Sequence, residues 1–266
     1  MNGQEKKKYY IKMTVIVAAW LALWEAADRI IDNRIVLSGP IHIVQALLAQ
    51  IQQPDFWIIC GASFIRITIG FILSFVAGVA LAALCYRSEL LRDIISPVMT
   101  TLKIVPMVSF VIMLLIWVGN QALTIYLSFL IVLPLIYTNT LAGLNAVDRE
   151  LLEAAKEYGC SRWYRFYYFY RPTLMPFLVS GCRVALGMSW KSGIMAEVLG
   201  TPKPSIGREM FAAKTYLQTA DLFAWTIVVI ILSLIFEKAF MALLNRCSPV
   251  DPKNAAMAPK GMKRPM

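Results

Sequence analysis

Histidine is nearly absent from this chain: His42 is the only one in 266 residues. It falls in a segment expected to lie outside a membrane, so neither a two-histidine zinc site nor a serine, histidine, aspartate triad can be assembled among the apolar segments. No metal site, no catalytic residue and no bound cofactor is expected. The phosphate-cradling pattern G-x4-G-K-[ST] is also missing, so any ATP that drives this protein must be bound by another chain. Charge is scarce too, at 16% of residues against 59% apolar ones, with a mean hydropathy of +0.63. Those values exclude a soluble enzyme and a disordered tail. The five cysteines, Cys60, Cys85, Cys160, Cys182 and Cys247, show no paired spacing and sit mostly in or beside apolar runs, which excludes a secreted disulfide scaffold.

What is abundant is apolar sequence in blocks: Ile11–Ala27, Trp57–Tyr86, Ile95–Val118, Ala122–Leu144, Thr173–Leu199 and Leu222–Leu244. Most of them reach the ~20 residues a bilayer-spanning helix needs. Backbone groups in lipid must be satisfied within the segment, so six transmembrane helices are expected and strands are not. The third block is the shortest in its unbroken part, 104–118, and is expected to borrow its first turns from residues 95–103. Of the 26 lysines and arginines, sixteen fall in segments placed inside when the N-terminus is inside, five outside and five within the spans. Both termini are therefore expected in the cytoplasm. That position along the chain gives the formal charge of +10 a membrane rather than a nucleic-acid meaning. The first block follows Lys6–Lys8 but lacks a small-residue cleavage site, and is read as an uncleaved anchor. In the second block Ala62, Arg66, Gly70, Ser74, Gly78 and Ala82 recur every four residues, a ridge suited to packing within the bundle rather than to dimerisation.

Between the fourth and fifth blocks lies Asp148-Arg149-Glu150-Leu151-Leu152-Glu153-Ala154-Ala155-Lys156-Glu157-Tyr158-Gly159. Asp148 can cap a short helix, Glu150 suits the positive end of its dipole and Gly159 suits a left-handed stop. Leu151, Leu152, Ala155 and Tyr158 share an apolar face. Trp163, Phe166, Tyr167 and Tyr170 follow, suited to the headgroup level, and Pro172 is expected to break the chain before the next span. By composition alone this could be a helix lying on lipid.

The spacing adds a resemblance. Glu153-Ala154-Ala155, three residues, Gly159, nine residues and Phe169-Tyr170-Arg171-Pro172 resemble the E-A-A-x3-G-x9-I-x-L-P signature of bacterial ABC importer permeases, departing at Phe169 and Arg171. From about residue 58 to 244 the chain resembles the sulfonate, taurine and nitrate branch of that family. The residues that carry this are Ser63-Phe64-Ile65-Arg66, Lys103-Ile104-Val105-Pro106, Gly181-Cys182-Arg183, Ser189-Trp190 and Ala196-Glu197, while Ile112 and Ser109 depart from it.

The resemblance implies an all-α membrane protein with the type I ABC importer permease fold, in a bacterial plasma (inner) membrane. It implies three partners besides membrane lipid: a cytoplasmic ATP-binding subunit, an external substrate-binding protein and a second permease copy; nucleic acid is not among them. Residues 1–55 would hold the N-terminal segment, first span and external loop, 56–245 the permease domain, and 246–266 a cytoplasmic tail. By resemblance Glu153, Ala154, Ala155, Gly159 and Pro172 belong to the coupling element at about 148–159 that meets the ATPase.

The pathway is read from cost. A charge near the bilayer centre costs about 2.5–3.5 kcal/mol, so Arg66, Arg183 and Lys191 are expected to point inward. Arg66 and Arg183 either satisfy helix ends and carbonyls or line the path. Lys191, beside Ser189, Trp190 and Ser192 and on one face with Arg183 and Gly187, is the better lining candidate. Ser189, Trp190 and Glu197 are counted among the path candidates as well, although Glu197, six positions on from Lys191, points away from it. The external loop 200–221, with Ser205 as a cap, either touches the binding protein or is a solvated connector. A cationic lining suits an anionic solute such as a sulfonate, taurine or nitrate, although relatives in the branch also move pyrimidines. Two alternatives are the membrane scaffold of a vitamin-precursor uptake system, which would carry Ala-Arg-Gly triplets, and an ion-coupled secondary transporter, which would need repeats and intramembrane acids. Neither feature is present.

Overall fold

The computed structural model describes residues 3–31, 33 and 35–246. Arg34, the side chains of Lys6 and Lys7, and the tail from residue 247 onward lie outside the described residues. Ten α-helices make up the described chain: α1 Gly3–Ile31, α2 Pro40–Ile51, α3 Phe56–Arg87, α4 Glu89–Ile104, α5 Met107–Asn145, α6 Arg149–Glu157, α7 Arg162–Arg165, α8 Arg171–Gly200, α9 Ile206–Thr215 and α10 Thr219–Arg246. A π-helical turn, Phe166–Tyr170, joins α7 to α8. Among the described residues there is no strand. Helices α3, α5 and α10 are long and apolar enough to cross a membrane; α8 has 30 residues and carries Arg183, Lys191 and Glu197 within its length.

The centre of the bundle is α5, packed on α3 and α8. Ile67 and Phe71 from α3, Ile136 from α5, Leu186 and Trp190 from α8 and Phe236 from α10 form one core. Lipid tails are as apolar as these side chains, so close packing rather than expulsion of water holds the helices together. The small-residue ridge supplies it. A Cβ on Gly70 would lie 2.6 Å from the Ile125 carbonyl oxygen, and one on Gly78 2.9 Å from Ile136 Cβ, so α3 turns the ridge to the chain's own α5.

Hydropathy and backbone disagree at the third apolar block. It is not one helix: α4 stops at Ile104, Val105 is extended (φ −59°, ψ 129°) and α5 begins after Pro106. The residue before a proline is pushed out of the helical region, and Pro106 has no amide to continue the ladder, so 95–103 does not lengthen 104–118. The next boundary falls where the apolar blocks divide. Gly119 has φ 73° and ψ 179°, which no side-chain-bearing residue adopts easily, and splits α5 into arms 107–118 and 120–145. Val111 and Leu114 on the first arm cluster with Leu123 and Leu127 on the second, so the arms fold back as a hairpin.

Pro172 does not break the chain as expected. Tyr170 and Arg171 before it keep helical backbone angles, so α8 runs straight on from the π-turn, and the missing amide falls where the regular α-helical ladder is already interrupted. Thr173 Oγ1 donates to the Phe169 carbonyl at 2.9 Å, satisfying an acceptor in this irregular stretch. Helix α2 was not expected; Gly39-Pro40 opens it, and at 12 residues it is too short for a span. Helix α1 stands apart from the bundle along most of its length, with Trp20 68% exposed, and touches it near its end through Trp24 against Phe223, ring centroids 5.7 Å apart.

Candidate functional site

Two groups of residues were singled out by sequence, and the structure places them at opposite ends of the bundle. The first is α6. Asp148 Oδ1 accepts from the Glu150 amide at 2.9 Å and from the Leu151 amide at 3.5 Å. At the other end the amides of Gly159 and Cys160 donate to the carbonyls of Lys156 and Ala155, and Gly159 has φ 71°. Both stops are therefore local and chemically specified. The apolar face is divided in use: Ala155 is buried and Leu152 half-buried against the chain, whereas Leu151 and Tyr158 (88% exposed) face outward with Glu153, Lys156 and Glu157. Ala154 is half-buried and Gly159 exposed. Glu153 and Leu152 also line a cavity of 370 Å3 with Arg87, Arg92, Arg149 and Glu89. The connection between α5 and α7 thus carries a nine-residue helix closed at both ends, with Ala155 as its buried residue.

The second group is drawn together around α8, but not on one face. Glu197 is fully buried. Its Oε2 accepts from Ser63 Oγ at 2.7 Å and from the Gly207 amide at 3.2 Å, and Ser63 Oγ in turn accepts from the Ile206 amide at 2.9 Å. Arg66 Nη1 lies 3.6 Å from Glu197 Oε1 and donates to the Pro204 carbonyl at 2.7 Å, while Nη2 donates to Gln121 Oε1 at 3.3 Å. This network ties α3, α8 and the start of α9 together; the Ser205 cap, expected from sequence, accepts from the Arg208 amide at 3.2 Å. Arg66 thus takes a carbonyl and a carboxyl rather than lipid.

The remaining candidates separate. Ser189 is buried, with its carbonyl accepting from Ser128 Oγ and Ser192 Oγ at 3.3 and 3.1 Å. Trp190 is buried against Phe64 and Phe236 at ring-centroid distances of 5.9 and 6.5 Å. Both lie inside the chain's own core. Arg183 and Lys191 do not point inward within this chain, contrary to the cost argument; both are exposed, whereas Glu197 is buried. The physical reason is that the inner face of α8 is already filled by Ala185, Leu186 and Trp190 against α3 and α5. What sequence reasoning missed is the link from Ser63 to Glu197. The two are 134 positions apart, and no local pattern announces the contact.

Comparison with known proteins places these features in a class. Residues 70–247 match the family model described as binding-protein-dependent transport system inner membrane component. The chain belongs to that family, and is the membrane component of a transport system that works with a binding protein and an ATPase rather than a catalytic chain. It is 24% identical over 243 residues to the taurine transport system permease protein of Escherichia coli (strain K12), covering 89% of this chain and 87% of that one. To the formylaminopyrimidine transport permease protein of Halalkalibacterium halodurans it is 25% identical over 201 residues, covering 73% and 78%. To the nitrate import permease protein of Leptolyngbya laminosa it is 28% identical over 148 residues, covering 55% and 53%. In fold it is similar to a chain of a bacterial ABC transporter that imports the acidic polysaccharide alginate, with a TM-score of 0.57 at 14% identity over 91% of this chain and 95% of that one.

Proposed function

We propose that the chain forms, with a second copy of itself, the membrane path of an ATP-driven importer for a small anionic solute of the sulfonate, taurine or nitrate kind. In this reading six spans cross the membrane, the third made of α4 and the 107–118 arm broken at Val105-Pro106, with both termini in the cytoplasm; α6 docks in the ATPase, and an external binding protein delivers the solute. The observation that carries the reading is α6: a capped helix with an outward face of Leu151, Glu153 and Tyr158 and a left-handed stop at Gly159. A stiff element is what converts opening and closing of a separate ATPase into movement of the spans. Glu153 suits basic groups on that partner, and Pro172 starts the span the lever would move. For the solute, the support is chemical: Arg183 and Lys191 lie exposed on α8, and an anion can neutralise them where lipid cannot.

The test is co-reconstitution of the permease with its ATPase and binding protein in proteoliposomes, measuring ATP hydrolysis and uptake together. Gly159 at φ 71° tolerates no side chain without strain, so Gly159→Arg is expected to insert normally, keep basal ATP hydrolysis and lose most uptake. Uptake coupled as in the wild type would remove α6 from the coupling role. Binding of sulfonates, nitrate and pyrimidines by the cognate external receptor separates the solute classes.

A further inference from the structure

Beside α6 but separate from it lies a cavity of 520 Å3 whose lining includes Arg87 at the end of α3, Arg162 and Arg165 of α7, and Tyr86, Phe166 and Tyr170. No acidic residue lines it. It shares Tyr86 and Arg87 with the cavity at α6, which has Glu89 and Glu153 in its lining, whereas here, among the described residues, none of Arg87, Arg162 and Arg165 has an ion-pair partner. Arg165 Nε is buried and has no hydrogen-bond partner, which costs a donor its full desolvation. The π-turn that follows holds this geometry: it carries Phe166 and Tyr170 into the wall, and Tyr170 meets Tyr86 edge to face at 6.0 Å. Such turns are frequent at functional sites.

We infer that this cavity binds a phosphate-bearing anion, with the headgroup of a cytoplasmic-leaflet phospholipid as its source. Guanidinium groups pair with phosphate through parallel N–H donors, and Arg165 Nε is a donor left waiting for one. The place fits a lipid. Ala83, Tyr86 and Leu144 are last-turn residues of α3 and α5, so the cavity opens where those helices end, and Trp163, Tyr167 and Tyr168 stand exposed beside it as a headgroup-level aromatic group. Basic pockets between span ends on this side are the setting in which lipid headgroups are held. A free phosphate would fill only part of the volume, whereas a headgroup with its glycerol uses the apolar wall as well. Its placement on the cytoplasmic leaflet rests on the orientation in the transport reading; binding of a headgroup rests only on the chain lying in a membrane.

The experiment presents the full chain, purified in detergent, with phosphatidylglycerol and phosphatidylcholine in equal amounts and reads retained lipid by native mass spectrometry. In a parallel arm, inorganic phosphate is titrated against thermal unfolding. Each surface arginine near anionic lipid contributes roughly a fivefold preference, so Arg162→Gln with Arg165→Gln is expected to reduce phosphatidylglycerol retention on the order of twenty- to thirtyfold. The pair Arg162→Lys with Arg165→Lys should keep part of it. Stabilisation of the wild type by inorganic phosphate, lost in the double variant and without lipid selectivity, would keep the phosphate site and replace its source. Equal retention of both lipids by the wild type, with no phosphate response, overturns the site. So does loss of the ATPase from the assembled complex in the Gln variant while lipid content stays unchanged, because the cavity would then be a protein interface. If the double variant fails to fold, the wild-type lipid preference alone decides.

Discussion

At the residue scale, the hydroxyl of Ser63 has the heaviest duty in the outer half of the bundle. It donates to Glu197 and accepts from Ile206, so one small side chain joins three helices inside the protein. Ser63→Ala leaves the buried Ile206 amide without its partner, at about 1–3 kcal/mol, and leaves Glu197 Oε2 with the Gly207 amide alone. The expected result is a clear fall in the thermal midpoint of the purified chain, together with faster modification of a cysteine placed in α9. An unchanged midpoint would mean that water or Arg66 takes over the carboxyl. Lys103 shows a milder solution to the same problem: its ammonium donates to Thr138 Oγ1 at 2.7 Å, and Thr138 Oγ1 donates to the carbonyl of Pro134 at 2.6 Å. That carbonyl's usual partner, four residues on, is the amide of Thr138 itself, so the hydroxyl adds a second bond in the turn opened by a proline.

At the element scale, the two glycines at either end of α3's outer half behave differently because their surroundings differ. A Cβ on Gly70 would press within 2.6 Å of a backbone oxygen of α5, while one on Gly61 meets nothing within 4 Å. Gly70→Ala should therefore push α3 off α5, an overpacking cost of about 1–3 kcal/mol, whereas Gly61→Ala should be neutral or stabilising by about 0.5–1 kcal/mol through helix propensity. Unfolding midpoints and the monodispersity of the two purified variants check the contrast; equal behaviour would show that α3 and α5 are free to move apart. Element-level features were also the ones most open to sequence reading. Asp148 and Gly159 act within one or two turns of themselves, so the ends of α6 follow from residue type alone. Ser205 marks the start of α9 for the same reason. The break at Val105-Pro106 was carried by an equally local signal, but apolar composition runs straight across it and conceals a backbone event. Helix α2 escaped because an apolar run of 12 residues is neither a span nor a soluble amphipathic helix.

At the scale of the whole molecule, the way α8 sits in the bundle is what sequence could not supply. The cost argument for Arg183 and Lys191 is sound, yet it names only where they cannot be; the direction they face depends on how α8 sits against α3 and α5, which is decided by contacts far apart in sequence. Eight residues separate the two cations, about 12 Å along one side of α8, with Gly187 between them meeting nothing within 4 Å. In a bilayer that side must meet either a second copy or an aqueous path, since two charges left in lipid would cost about 5–7 kcal/mol. If it lines the path between two copies, neutralising Lys191 removes one attraction for the passing anion from each copy and leaves the buried core untouched. Lys191→Leu is then expected to lower uptake several-fold to about tenfold, the worth of one charge contact of roughly 1.4 kcal/mol, while the permease, ATPase and binding protein still assemble. Lys191→Arg should retain most of the rate. Transport by the leucine variant at the wild-type rate would strike this face from the pathway, and failure of the copies to associate would make Lys191 part of the seam between them instead.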